Sequence, residues 1–172
     1  VGSEMCIRDR YYVYIIMTAA ETVLLMLGGL PLYDALVHTF GTVGTGGMSI
    51  YNDSIGHYGS TYVEIVVAVF MFLAAINFNL FYMVKKRGVL QIFKDEETKF
   101  YTTVTVSAAL LIAAYNFICD NFSQLGHKLM DSFFQVISIL TTTGYATDDY
   151  DVWPTFSKMI LSALFFMGGC SS

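Results

Sequence analysis

Two short patches combine residue types that could hold a bare cation: Thr42-Val43-Gly44-Thr45-Gly46-Gly47 and Thr141-Thr142-Thr143-Gly144. A cation stripped of water needs replacement oxygens, and inward-turned backbone carbonyls supply them, with threonine adding a hydroxyl. Glycine permits the backbone angles that such a turn demands and that other residues resist. Each patch follows an apolar stretch of helical character, Leu32 to Val43 and Leu129 to Leu140, too short to cross a bilayer. These stretches read as re-entrant half-helices, whose carboxyl ends would bring partial negative charge towards a cation. Non-helical backbone at membrane depth survives only when buried in protein or lining a wet cavity. The candidate filter residues are therefore Gly44, Thr45, Gly46 and Gly47 in the first patch, and Thr141, Thr142, Thr143 and Gly144 in the second.

Longer apolar runs must position these patches. Tyr11 to Leu30 carries one formal charge, Glu21; Val63 to Val84 follows the first patch; Tyr101 to Cys119 has no formal charge; a fourth run begins near Phe156 and is cut off at Ser172. Each of the first three has about the reach needed for the roughly 30 Å hydrocarbon core. Five basic residues (Lys85, Lys86, Arg87, Lys94, Lys99) fall between the second and third runs, which makes that linker cytoplasmic by the positive-inside rule. The stretches Pro31 to Tyr62 and Asp120 to Thr155 then lie on the outer side. The order span, half-helix, Thr/Gly turn, span occurs twice. A gapless alignment pairs Asp34 with Asp131, Thr45 with Thr142 and Gly47 with Gly144, and sets His38 opposite Gln135. Internal duplication of this kind is common in transport folds.

Composition agrees with a membrane protein. The chain is 55% apolar and 13% charged, against about 25% charged residues in a typical soluble domain. Its net charge of −5 supplies no basic surface for nucleic acid. Cys6, Cys119 and Cys170 have neither disulfide nor zinc spacing. His38, His57 and His127 form no metal-binding pair, and no nucleophile–base pair or ligand set for an intramembrane enzyme is present. No cofactor is indicated. Asp148, Asp149 and Asp151 read either as a cation-concentrating outer mouth or as a solvated loop. Glu21 reads as a mid-span helix contact through a hydrogen bond, outside ion binding. Residues 1–9 resemble translated adapter sequence and are set apart from functional reasoning.

Phe134 to Thr147, Met167-Gly168-Gly169-Cys170-Ser171-Ser172, Thr45-Gly46-Gly47-Met48-Ser49 and Ile76-Asn77-Phe78 together resemble the Trk/Ktr/HKT superfamily of potassium transporters. Met48 and Ala74-Ala75 depart from its usual pattern of an aromatic after the filter glycine and Gly-Gly before Ile-Asn-Phe. The resemblance implies an all-α membrane protein of repeated membrane helix, pore half-helix, filter loop and membrane helix units, two of an expected four. Residues 10–84 would be the second repeat, 85–100 a cytoplasmic linker, and 101–172 the third repeat, truncated. It further implies potassium as transported substrate at the filter residues, and Gly168, Gly169, Cys170, Ser171 and Ser172 as the start of a gating loop. It implies a multi-pass protein of a bacterial or archaeal cell membrane. The implied partners are the lipid bilayer, a second copy in a homodimer and a cytoplasmic nucleotide-binding regulatory subunit of the TrkA/KtrA type. The alternative is a non-conducting helical scaffold, in which the glycines would mark helix contacts on one face of a continuous helix.

Overall fold

The structure, a computed structural model, describes residues 2–75, 96–119, 125–147 and 153–169. Among these it is all-helical: α1 (Gly2–Leu27), α2 (Leu32–Val43), a 3-10 turn (Ser54–Tyr58), α3 (Thr61–Ala75), α4 (Glu96–Cys119), α5 (Leu125–Leu140) and α6 (Thr155–Gly169). Helix α2 matches the expected half-helix residue for residue. Helix α5 ends as expected and starts one turn earlier, at Leu125.

Pro31 opens α2, where a missing N–H costs nothing and the fixed φ suits the approach; its carbonyl accepts the Ala35 amide at 2.9 Å. A pair of glycines, half-buried Gly28 and exposed Gly29, turns the chain back from α1 into α2, with Gly29 at φ +93°.

The helices bury two apolar clusters. Leu25 from α1, Ala35 and Val43 from α2, and Val63, Val67 and Met71 from α3 form the first. Ala109 and Ile112 from α4, Val136 and Leu140 from α5, and Leu161 and Leu164 from α6 form the second. Phe134 and Tyr145 belong to the second half of the chain yet are fully buried in the first cluster. These two side chains knit the halves together. Large apolar side chains also cover the outside, among them Ile16, Leu27, Leu111 and Phe166, each more than half exposed. So much exposed apolar surface marks a membrane or partner-facing exterior.

No helix among the described residues is long and apolar enough to cross a membrane. Helices α3 and α6 are described for 15 residues each, short of the roughly 20 that a span needs. The run from Ile76 to Val84, the basic linker Lys85 to Asp95, and Asp148, Asp149 and Asp151 lie outside the described residues.

Candidate functional site

Both Thr/Gly patches begin where a helix stops, and they stop it in the same way. After α2, the Gly44 amide bonds the Phe40 carbonyl at 3.0 Å, Thr45 bonds Thr42 at 3.1 Å, and Gly46 and Gly47 both bond Gly41 at 2.8 and 3.2 Å. After α5, Thr141 bonds Ile137 at 2.8 Å, Thr142 bonds Ile139 at 3.0 Å, and Thr143 and Gly144 both bond Ser138 at 3.0 and 3.2 Å. Every donor and acceptor in one turn has its counterpart in the other at a constant offset, the offset that pairs Gly47 with Gly144. These are Schellman-type helix ends, in which one left-handed residue lets two amides fold back onto the last turn.

The left-handed residue is where the sequence defies local preference. Such positions usually hold glycine, yet here they hold Thr45 at φ +48° and Thr142 at φ +58°. A β-branched residue at positive φ is a steric outlier costing about 1–2 kcal/mol. Backbone strain of this kind persists where the surroundings over-determine it and concentrates at functional sites. The glycine two residues later is also left-handed in each turn, Gly47 at φ +60° and Gly144 at φ +85°. Both glycines lie beyond a helix end, so neither sits on a continuous helix.

The two turns meet. A Cβ placed on Gly47 would overlap the Thr143 carbonyl oxygen and lie 3.5 Å from the Gly144 carbonyl carbon. Around this contact, side-chain hydroxyls hold backbone carbonyls. Ser138 Oγ donates to the Tyr145 carbonyl at 2.6 Å, and Thr42 Oγ1 donates to the His38 carbonyl at 2.8 Å. Thr141 and Thr143 hydroxyls lie 2.8 Å apart. Tyr145, fully buried, places its hydroxyl 3.0 Å from both the His38 and the Met48 carbonyl oxygens. A cavity of about 570 Å³ opens on the other side of the second turn, lined by Gln135, Ser138, Thr142 and Gly144 together with Lys158 and Phe165 of α6. A Cβ on Gly144 would meet open space there.

The loops beyond the turns are tied back to an aspartate on each half-helix, in the first turn of α2 and further along α5. Tyr58 donates to Asp34 Oδ2 at 3.0 Å and contacts His38 Nε2 at 3.2 Å, while Thr147 donates to Asp131 Oδ1 at 3.1 Å. Burial first, and the Asp34 carboxylate second, push the Tyr58 hydroxyl well above the usual tyrosine range, so it remains a donor. The aligned aspartates thus anchor the loops that follow both turns through different partners. Gly56 brings the 3-10 turn against the second half: its amide bonds the Ala146 carbonyl at 3.3 Å, and an added Cβ would lie 2.5 Å from the Thr147 carbonyl oxygen.

The two stretches of candidate filter residues therefore meet where Gly47 abuts Thr143 and Gly144. Gly168 and Gly169 form the end of α6, with Gly168 packed so closely on the α5 terminus that a Cβ would lie 2.5 Å from the Leu140 carbonyl oxygen. Cys170, Ser171 and Ser172 lie outside the described residues. Glu21 is fully buried and interacts with the Thr42 side chain of the neighbouring α2, as a helix contact requires, although its carboxylate oxygens have no close hydrogen-bond partner among the described residues. Sequence reasoning missed the strained threonines and the bridging role of Tyr145.

Comparison with known proteins identifies the family of the chain. A family described as TrkH, cation transport protein, matches residues 10–172. The chain is 33% identical over 164 residues to the Trk system potassium uptake protein TrkG of Escherichia coli K12, covering 95% of this chain and 34% of that protein. It is 28% identical over 165 residues to the Trk system potassium uptake protein TrkH of Salmonella typhimurium, with the same coverage. The chain thus spans about one third of the length of these relatives. Its fold matches the crystal structure of the potassium transporter TrkH from Vibrio parahaemolyticus with a TM-score of 0.88 at 24% identity, over 95% of this chain and 37% of that one. With a helical fold, paired strained turns and a family match over nearly its whole length, the chain belongs to the TrkH family of cation transport proteins.

Proposed function

We propose that this chain supplies two of the pore segments of a potassium-uptake transporter, with Gly44 to Gly47 and Thr141 to Gly144 forming parts of one selectivity filter. The observation that carries the reading is the contact between the two turns: two helix ends with matched hydrogen bonds and strained threonines converge until Gly47 abuts the Thr143 carbonyl. Carbonyls held by such turns exchange for a cation's hydration shell, and the carboxyl ends of α2 and α5 add partial negative charge. Potassium as the ion comes from the relatives, which are potassium uptake proteins. The helix ends ahead of Gly47 and Gly144 favour a filter over a scaffold, because packing glycines would lie on a continuous helix.

On this reading the four apolar runs cross the cell membrane, with the basic linker inside and both half-helices dipping from outside. Residues 10–84 and 101–172 are two membrane-pore-membrane repeats, and two further repeats complete the pore. The α6 end at Gly168 and Gly169 leads into the gating loop that continues through Cys170 to Ser172. The assembled transporter is a homodimer that docks a nucleotide-binding regulatory subunit on its cytoplasmic face. The test uses the full-length protein in cells unable to take up potassium. Gly47→Val and Gly144→Val should insert normally but lose uptake or potassium preference over sodium, whereas Ala109→Val, within the second apolar cluster, should leave selectivity intact. Unchanged rate and selectivity in both glycine variants would remove the filter reading.

A further inference from the structure

Matching the two turns atom for atom exposes one missing part. In the second turn, Ser138 Oγ holds the carbonyl of Tyr145, the residue after the filter glycine, at 2.6 Å. The residue aligned with Ser138 in the first turn is Gly41, which has no hydroxyl, and the carbonyl to be held there is that of Met48. The Met48 carbonyl nevertheless has a hydroxyl 3.0 Å away, and it belongs to Tyr145. Tyr145 reaches it through the space that a side chain at position 41 would fill: a Cβ on Gly41 would overlap the Tyr145 hydroxyl.

We propose that Tyr145 is a selectivity-determining positioning residue, whose hydroxyl does for the first filter turn, across the two halves, what Ser138 does for the second turn from within it. The inference rests on the filter reading above. A phenol carries one hydrogen, so it must divide that hydrogen between the His38 and Met48 carbonyls. The His38 carbonyl already accepts Thr42 Oγ1 at 2.8 Å, which leaves the Met48 carbonyl the more dependent of the two. Tyr145 is fully buried, so water does not take the place of its hydroxyl from within the protein, and only the exposed Met48 side of the part-buried bond is open to solvent. Its ring packs against His38 with centroids 5.7 Å apart, which fixes the direction of the hydroxyl. Gly41 is therefore required for room, and Tyr145 for the donor that Gly41 lacks. The pair acts as one unit.

The unit can be exchanged. In the full-length transporter, Tyr145→Phe keeps the ring and removes the donor, so potassium preference over sodium should fall about fivefold, the effect of one buried neutral hydrogen bond. Combining it with Gly41→Ser removes the worst overlap, leaving tight contacts of 3.0 Å to the Met48 carbonyl oxygen and 3.1 Å to the ring, and supplies a hydroxyl from the first turn itself, as at Ser138. The double variant should recover selectivity to within about twofold of the parent, given the usual spread in the worth of such bonds. Gly41→Ser alone, with the phenol in place, should be worse than either. Membrane yield is measured alongside. If Tyr145→Phe accumulates poorly, recovery of both yield and selectivity in the double variant supports the exchange. Unchanged selectivity in Tyr145→Phe, or a double variant no better than the single, overturns it. Gly47→Val in the same assay separates the two levels: if it alters selectivity while Tyr145→Phe does not, the filter stands and the tyrosine tie falls. If neither alters it, the filter itself is wrong.

Discussion

The first and second Thr/Gly turns share every backbone hydrogen bond and differ in almost every neighbour. Gly47 is pressed against the Thr143 carbonyl, whereas Gly144 faces open space beside a cavity. The first turn is followed by Met48, 72% exposed, and the second by Tyr145, fully buried between the halves. Identical backbone geometry can therefore be held by one set of side chains that is local and another that is borrowed. The residue types at the turns set the shape, and the surroundings decide which turn tolerates change.

The sharpest way to test that asymmetry is to make the same small substitution in both turns. Gly47→Ala adds a methyl that collides with backbone and also strains a left-handed position, together roughly 2–5 kcal/mol. Gly144→Ala incurs the backbone strain alone, about 1 kcal/mol. Thermal unfolding and potassium uptake of the two full-length variants should thus separate clearly, with Gly47→Ala close to inactive. Equal losses would mean that the contact between the turns is not formed.

A middle-sized effect should appear with opposite signs in stability and transport. Thr45→Gly and Thr142→Gly relieve the positive-φ strain and should leave unfolding free energy equal or higher by up to about 1 kcal/mol, while uptake falls because the hydroxyl is lost and the turn loosens. Variants that lose stability and transport together would show that these threonines serve structure alone. The smallest effect belongs to the loops that follow the turns. Tyr58→Phe and Thr147→Val each break one tie to an aspartate, at Asp34 and Asp131, and each should cost about 1 kcal/mol with selectivity unchanged. A selectivity change in either would extend the filter's support to those loops.

Much of this was legible beforehand. The short apolar run ending at Val43 gave α2 with its bounds intact, because Pro31 and the Gly44 patch punctuate it on both sides. The α5 start was missed by a turn, since Leu125 to Lys128 carries no comparable stop signal. The Thr/Gly composition pointed to the turns, but composition cannot say which residue takes the left-handed angle, and Thr45 and Thr142 take it against their own preference. Tyr145 entered the sequence reading only as a family aromatic. Its role depends on contacts across the two halves, invisible to any local pattern. A signal did exist: the gapless alignment sets Gly41 opposite Ser138 and so marks a missing hydroxyl.

The Tyr145 bonds to the first half also bear on how the protein is made. They span sequence separations of 107 and 97 residues. A ribosome that has finished α3 has delivered a first turn whose slot at Gly41 is still vacant and whose Met48 carbonyl still awaits its donor. Contacts so distant along the chain close late, after the loop-closure entropy has been overcome. The first turn is therefore translated first and matured last. Until Tyr145 arrives, the first turn lacks the hydroxyl that holds its Met48 carbonyl and remains the unfinished one of the pair.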